Sequence, residues 1–204
     1  MIALKVILIS EDLKDQILGN LVRAVELLRN CEALGEFVPE VRMNIAFALP
    51  NAQSINDVAA IPGRISVYRN ILIINNLPAF GASDHLARAI IEAQKYEPTI
   101  RAAINFKYTK ELREWLEKNA ATMGLNLVCV DRSEEPTTVS SIDGHSMPWK
   151  IKKAIDLAKG KFPDLVGETE APGKEPLFKL FGKTATDVAE KLVKIANAWA
   201  NRTQ

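Results

Sequence analysis

The segment from Phe80 to Arg88, which reads Phe-Gly-Ala-Ser-Asp-His-Leu-Ala-Arg, combines residue types that suit the binding of an anion. It follows an apolar run, Ile71 to Ile74, that we interpret as a buried strand. A strand, a short small-residue turn and a helix together present free backbone N–H groups and the positive end of a helix dipole. The pattern therefore predicts a phosphate site, with these candidates: Gly81, Ala82, Ser83, His85 and Arg88.

Two cations in tight turns are further candidates for the same ligand. Arg64 follows a Pro-Gly turn, where it could clamp a phosphate with two parallel hydrogen bonds or remain a solvated surface cation. Lys174 lies in the turn Pro-Gly-Lys-Glu-Pro, where it could reach a phosphate as a flexible point charge or stay in solvent.

Polar residues also interrupt apolar strand patterns. Asn105 and Lys107 share one face of the alternating segment from Arg101 to Tyr108. Asn44 likewise interrupts an apolar segment, Met-Asn-Ile-Ala. Such groups either line a pocket or meet a helix terminus. After another strand, the cluster containing Asp131 and Glu135 could hold Mg²⁺ through carboxylates, or form salt bridges in a solvated loop.

Composition narrows the class of protein. The 204 residues carry 26 basic and 25 acidic side chains, and this net charge of +1 argues against a nucleic-acid partner. No apolar run reaches the roughly 20 residues of a membrane span, and no signal peptide is evident. We interpret the two cysteines as reduced, which predicts a cytoplasmic location, and the chain as one domain over 1–204.

The elements that must position these residues follow from periodicity. Apolar residues at helical spacing predict an N-terminal helix over about 13–31, ahead of a core over about 40–204. Strands then alternate with helices, which predicts an α/β fold. Some links between strands are too short for a parallel crossover, so part of the sheet must be antiparallel. The loop from Asp131 to Met147 is a candidate active-site flap.

Ordered motifs carry a resemblance to a known family. They are Asn44–Ala48, Asp57–Ile65, Phe80–Arg88, Ala103–Tyr108, Asp131–Pro136 and Gly173–Pro176. From about residue 15 to its C-terminus the chain resembles the archaeal thiamine-phosphate synthase domain called ThiN. The resemblance implies a three-layer α/β/α sandwich around a mixed, largely antiparallel sheet, related to class II aldolase-like domains and to the C-terminal domain of hydroxymethylpyrimidine kinases.

The resemblance also implies an activity: hydroxymethylpyrimidine diphosphate and thiazole phosphate are joined, and diphosphate is released. The family's essential arginine and histidine fall on Arg64 and His85, which we predict to be catalytic. We predict that the substrates contact Gly81, Ala82, Ser83, Arg88, Asn44, Asn105, Lys107 and Lys174. Mg²⁺ would bridge diphosphate oxygens with Asp131 or Glu135 as its protein contact, and a homodimer is possible.

The chain departs from the family at a few positions. Lys107 stands where an Arg is usual, and Glu168 and Glu170 stand near the places of an Asp and a Gly. Two other functions fit part of the pattern. The first is a non-catalytic sensor of thiamine phosphate in a transcriptional regulator, although no DNA-reading pattern is visible in the first 40 residues. The second is an aldolase-like lyase, which would need clustered histidines around a metal.

Overall fold

A computed structural model of the chain describes residues 2–140 and 145–203, with side chains over 11–139 and 145–202. The helices are α1 (Ile2–Arg29), α2 (Asp84–Gln94), α3 (Lys110–Asn119), α4 (Thr137–Ser140), α5 (Ser146–Leu157) and α6 (Ala185–Ala200). The strands are β1 (Asn44–Ala48), β2 (Val58–Ala60), β3 (Ser66–Tyr68), β4 (Ile71–Ile73), β5 (Ala79–Phe80), β6 (Ala102–Lys107), β7 (Leu127–Val130), β8 (Leu165–Glu168) and β9 (Leu177–Gly182).

Seven of the described strands form one mixed sheet in the order β5-β2-β1-β6-β9-β8-β7. Every neighbouring pair is antiparallel except β7 and β8, which are parallel. On one face α1 and α6 pack on the sheet and on each other, and on the other face α2 and α5 do the same. The predicted three-layer α/β/α sandwich with a largely antiparallel sheet is therefore confirmed.

Alternation along the strands separates two apolar cores. In β6, Ile104 and Phe106 belong to the core beneath α1 and α6, whereas Ala103 belongs to the core beneath α2 and α5. The second core is rich in alanine, from Ala46 in β1 to Ala89 in α2. Small side chains on both partners allow α2 to lie close to the strands, which fixes where its N-terminus meets the sheet.

The structure corrects the interpretation of Ile71–Ile74 as a buried strand that leads into the anion-binding turn. Ile71–Ile73 is one arm of a separate two-stranded hairpin with β3, and Ile71 is 63% exposed. The strand before the turn is the two-residue β5, which sequence patterns did not indicate. The strand–turn–helix geometry itself is present, because β5 leads through Gly81 to α2.

Other boundaries also differ from the sequence prediction. Helix α1 begins at Ile2, well before the predicted start near residue 13. The predicted flap, Asp131–Met147, is partly helical in α4 and in the first turn of α5, and its central residues 141–144 lie outside the described residues.

Candidate active site

A cavity of about 580 Å³ lies where the first turns of α2 and α5 approach one end of the sheet. Its size is within the ~300–1,000 Å³ typical of small-molecule sites. The lining contains five cationic side chains and three carboxylates, so positive charge is in excess. The cations are Arg64, Arg88, Arg132, Lys150 and Lys174.

A row of polar residues crosses the sheet beneath this cavity. Asn44 in β1 pairs in register with Asn105 in β6, which in turn pairs with Lys179 in β9. All three are buried on the face that carries α2 and α5. Of the polar residues that interrupt β1 and β6, Asn44 and Asn105 therefore line one cavity.

The two asparagine side chains are anchored by backbone groups. The Asn44 amide oxygen accepts from the backbone N–H of Ile61, and its amide nitrogen donates to the Ile61 carbonyl, at 3.1 Å each. The Asn105 amide oxygen accepts from the N–H of Asn44 at 2.9 Å, and its nitrogen donates to the Arg42 carbonyl at 3.0 Å. These bonds fix the start of β1 and leave each amide nitrogen one further N–H for a ligand.

At the closed end of the cavity, Glu168 lies between two buried lysines. Its carboxylate accepts from Lys150 Nζ at 2.8 Å and from Lys179 Nζ. Burial alone would raise the pKa of the Glu168 carboxyl, but the two ammonium groups outweigh burial and hold that pKa well below its usual range. Burial lowers the pKa of Lys179 to about 8, against the opposing effect of Glu168. Glu168, noted in the sequence only as a departure from the family, is thus the centre of an ionic triad.

A second buried ion pair lies beside this triad. Arg132 donates from both Nε and Nη2 to one oxygen of Glu135, and Ser146 donates to the other oxygen. Desolvation would raise the pKa of the Glu135 carboxyl, but its hydrogen bonds with Ser146 and Arg132 lower it overall. Both side chains of the pair are less than 5% exposed.

These contacts argue against Asp131 and Glu135 as a Mg²⁺ site. Glu135 is occupied by Arg132 and Ser146, and Asp131 lies outside the cavity lining, where it caps the backbone N–H of Ser133. Among residues 11–139 and 145–202, no three His, Cys, Asp or Glu side chains cluster as metal ligands. Of the three lining carboxylates, Glu168 binds lysines, Asp84 binds Arg88, and Glu175 accepts the N–H groups of Glu40 and Val41. Within the described part of the chain, the carboxylates that line the cavity are therefore already bound by cations or backbone N–H groups.

At the first turn of α2, part of the predicted anion site is used by the fold. Ser83 is the N-cap, and its hydroxyl accepts from the N–H of Leu86 at 3.4 Å. The Gly81 N–H donates to the Val58 carbonyl at 3.0 Å, so it extends the sheet and is not free for a phosphate. Gly81 has φ +76°, a left-handed conformation that favours glycine, which explains the glycine at this turn.

The remaining predicted residues divide between the cavity and its surroundings. Ser83, His85, Arg88 and Lys174 line it, whereas Gly81 and Ala82 do not. Arg88 forms an ion pair with Asp84 at 2.8 Å. Lys107 is exposed at the end of β6 and also lies outside the lining.

Arg64 is held at the cavity rim by an unusual backbone conformation. It has φ +64°, and its side chain donates from Nη1 to the Val41 carbonyl. The loop that carries Val41 is in turn fixed by Glu175, from the turn that contains Lys174. A non-glycine residue with positive φ costs energy and is enriched at functional sites.

His85, in the first turn of α2, lines the same cavity, and charged neighbours shift the pKa of its imidazole. The positive charge of Lys179, burial, and the charges of Lys150 and Arg64 lower the pKa of its imidazole to about 3, with Glu168 opposing them. More than a third of the residue's surface nevertheless remains accessible from the cavity, so a ligand can reach it. The imidazole is therefore neutral near pH 7 and can donate one hydrogen bond.

Sequence reasoning missed Arg132, Lys150 and Lys179 as site residues. Lys150 sits on an amphipathic helix, where a lysine ordinarily indicates a solvated face. Lys179 carried a usable signal, because it interrupts the apolar strand Leu177-Phe178-Lys179-Leu180-Phe181, whose other members are all buried. A charge in such a strand requires a buried partner.

Taken together, fold and cavity define a three-layer α/β/α domain with a small-molecule site lined by cations. A family model described as "Thiamine-phosphate synthase ThiN" matches residues 20–194. The chain is 37% identical over 176 residues to "Thiamine-phosphate synthase ThiN" of Methanothermobacter thermautotrophicus, which covers 86% of this chain and 90% of that protein. The chain belongs to the ThiN family, as its motifs predicted.

Other relatives agree with this assignment. The chain is 35% identical over 181 residues to the "Bifunctional thiamine biosynthesis protein ThiDN" of Methanocaldococcus jannaschii; the match covers 88% of this chain and 40% of that protein. The crystal structure of the C-terminal domain of phosphomethylpyrimidine kinase matches with a TM-score of 0.84 at 34% identity, over 89% of this chain and 99% of that one. The C-terminal domain of protein MJ0236 gives 0.79 at 34% identity, over 92% and 97%. Across the described part of the chain, no helix has both the length and the apolar character of a membrane span.

Proposed function

We propose that this chain is a thiamine-phosphate synthase, which joins hydroxymethylpyrimidine diphosphate to thiazole phosphate and releases diphosphate. The observation that carries the proposal is the cavity itself: Arg64 and His85, which match the family's essential residues, line it together although 21 positions separate them. The relative named as this enzyme is matched over 90% of its length.

The chemistry requires positioning and charge stabilisation more than covalent help from the protein. The bond between the exocyclic carbon of the pyrimidine and the diphosphate oxygen breaks, and its electron pair leaves with the diphosphate. The thiazole nitrogen then donates its lone pair to the resulting carbocation. Cations around a departing diphosphate stabilise the charge that develops on it, and a closed cavity keeps water from the carbocation.

The geometry suggests how the chain performs these tasks. Arg64 and His85 both line the cavity, and in this proposal they contact the diphosphate. A neutral imidazole can donate a hydrogen bond to the developing oxyanion without adding charge to the site. Lys174 and Arg88 line the same cavity and supply further positive charge. Asn44 and Asn105 each retain an amide N–H with which to bind the pyrimidine.

Magnesium enters this proposal as part of the substrate. Because the lining carboxylates are bound by cations or backbone N–H groups, Mg²⁺ would be coordinated by diphosphate oxygens and water. This replaces the expected contacts from Asp131 and Glu135. Substitution of either carboxylate by its amide should then leave the Mg²⁺ dependence of the rate unchanged.

The sensor alternative gains no support, since both curated relatives are named as biosynthetic proteins. A homodimer stays a prediction from the family resemblance, and light scattering of the purified protein tests it. A cytoplasmic location stays a prediction from the two reduced cysteines.

A coupling assay tests the function. Purified protein is incubated with hydroxymethylpyrimidine diphosphate, thiazole phosphate and Mg²⁺, and thiamine phosphate is detected after conversion to fluorescent thiochrome. Turnover that is lost in Arg64→Ala but retained in Arg69→Ala, a matched exposed arginine that also has positive φ, supports the proposal. No turnover combined with tight calorimetric binding of thiamine phosphate would move the chain to the sensor class.

A further inference from the structure

Arg132 and Lys150 form a group of buried cations at the closed end of the cavity, on the side of α5. Arg132 is 6% exposed and Lys150 is 4% exposed, and both line the cavity. The rim residues Arg64 and Lys174, by contrast, are exposed. The cavity therefore has two cationic ends that differ in solvent access.

Both buried cations retain hydrogen-bonding capacity toward the cavity. Arg132 uses Nε and Nη2 on Glu135, while its Nη1 has no partner among the described residues and is not sealed from solvent. Lys150 Nζ donates only to Glu168 among the bonds of the described residues. An ammonium group has three N–H donors and a guanidinium has five, so both can still bind an anion.

The net charge of the buried groups around Arg132 and Lys150 indicates which kind of anion they would bind. These buried ionic groups are three cations, Arg132, Lys150 and Lys179, and two carboxylates, Glu135 and Glu168. One positive charge is therefore in excess. A buried charge that lacks compensation is costly, so a phosphate monoester fits this end better than a diphosphate does.

We propose that Arg132 and Lys150 form a second anion subsite, which binds the phosphate monoester of the thiazole substrate, while the rim with Arg64 and His85 binds the diphosphate. This inference rests on the proposed function and adds to it the assignment of each phosphorylated group to one end of the cavity. Lys107, predicted from the sequence to contact a substrate, lies outside the lining and has no part in this assignment.

The test is Lys150→Met, because Glu168 keeps Lys179 as a partner in that variant. Calorimetry with thiazole phosphate and with inorganic diphosphate measures each subsite without requiring turnover. Loss of a charge-assisted contact should weaken thiazole phosphate binding about tenfold or more. Diphosphate affinity should stay within about threefold, because the rim that binds it is unchanged. Lys152→Met, an exposed lysine on the same helix, is the matched control and should change neither affinity.

A second variant covers the case in which Lys150→Met does not fold. Arg132→Lys keeps a positive charge beside Glu135 but removes the planar fork, so thiazole phosphate binding should weaken selectively. Unchanged thiazole phosphate binding, equal weakening of both ligands, or selective loss of diphosphate would each overturn the assignment. If binding responds as expected but the wild-type protein gives no turnover, the proposed function fails and the subsite stands. If turnover is present and Lys150→Met changes neither affinity, the subsite assignment fails and the proposed function stands.

Discussion

Replacement of His85 tests whether a neutral imidazole donates a hydrogen bond to the leaving diphosphate. With its pKa lowered to about 3, the imidazole of His85 is neutral at pH 7. Loss of one preorganised donor to a developing oxyanion typically costs about 3 kcal/mol, or roughly a hundredfold in rate. We therefore expect His85→Ala to reduce kcat about a hundredfold, and His85→Gln, whose amide donates without ionising, to recover part of that loss.

The pH profile adds a second, independent readout. The folded-state pKa of His85 is lowered, so the imidazole loses its proton at more acidic pH than usual and stays neutral from pH 5 upward. No acid limb assignable to His85 should appear in kcat/KM between pH 5 and 8, measured with the thiochrome assay. NMR titration in a His145→Gln background leaves a single histidine to observe.

Two results would refute this reasoning. The first is an NMR titration of His85 near its ordinary value of about 6.5. The second is an acid limb in wild-type kcat/KM that disappears in His85→Gln, because such a limb would mean that protonation of this ring controls the rate. The Lys179→Met variant checks the cause: removal of the largest depressing charge should raise the pKa of His85.

Further predictions follow from the same contacts. Arg64→Ala should lower kcat/KM about a hundredfold while the melting temperature changes little, because Arg64 is exposed at the rim; a large fall in melting temperature would instead indicate a structural role. Lys107→Ala should retain near wild-type turnover, since Lys107 lies outside the cavity lining, and a strong loss would contradict that placement. Glu168→Gln should destabilise the fold by about 3–5 kcal/mol in urea unfolding, because two buried lysines lose their carboxylate. Glu168 also has a lowered folded-state pKa, so its contribution to stability is present above the unfolded value of about 4.3 and is lost as pH falls below it; acid unfolding of wild type and Glu168→Gln should therefore converge at low pH.

The sequence predicted those helices and strands that are long enough to carry a pattern of their own. The helix α2 was predicted from the small-residue turn that precedes it, and β6 was predicted from alternation. The strands β2 and β5 were not, because three and two residues carry too little periodicity and exist only through pairing with neighbours. The strand at Ile71 was predicted, but not its exposure in a separate hairpin, because exposure depends on which sheet edge the strand can join.

The residues of the site also divide into those that have a local signal in the sequence and those that have none. Arg64 and His85 follow recognisable turn and helix signals and match family motifs, so they were predictable. The partnership of Lys150 with Glu168 was not, since a lysine and a glutamate 18 residues apart give no sign in the sequence that they are buried together. The same holds for Glu135, whose neighbours suggested a solvated acidic cluster although its carboxylate is enclosed by Arg132 and Ser146.

The polar row of Asn44, Asn105 and Lys179 has a consequence for how the protein folds. Asn44 and Asn105 are 61 residues apart in the chain and become neighbours only when the central strands have paired. Such non-local pairing forms late in folding relative to helices, because the entropy of closing long loops must be overcome first. We therefore expect the cavity to be complete only once the sheet has assembled, so that a ligand in it binds the native state. A ligand-dependent rise in melting temperature would then report directly on completed assembly of the sheet.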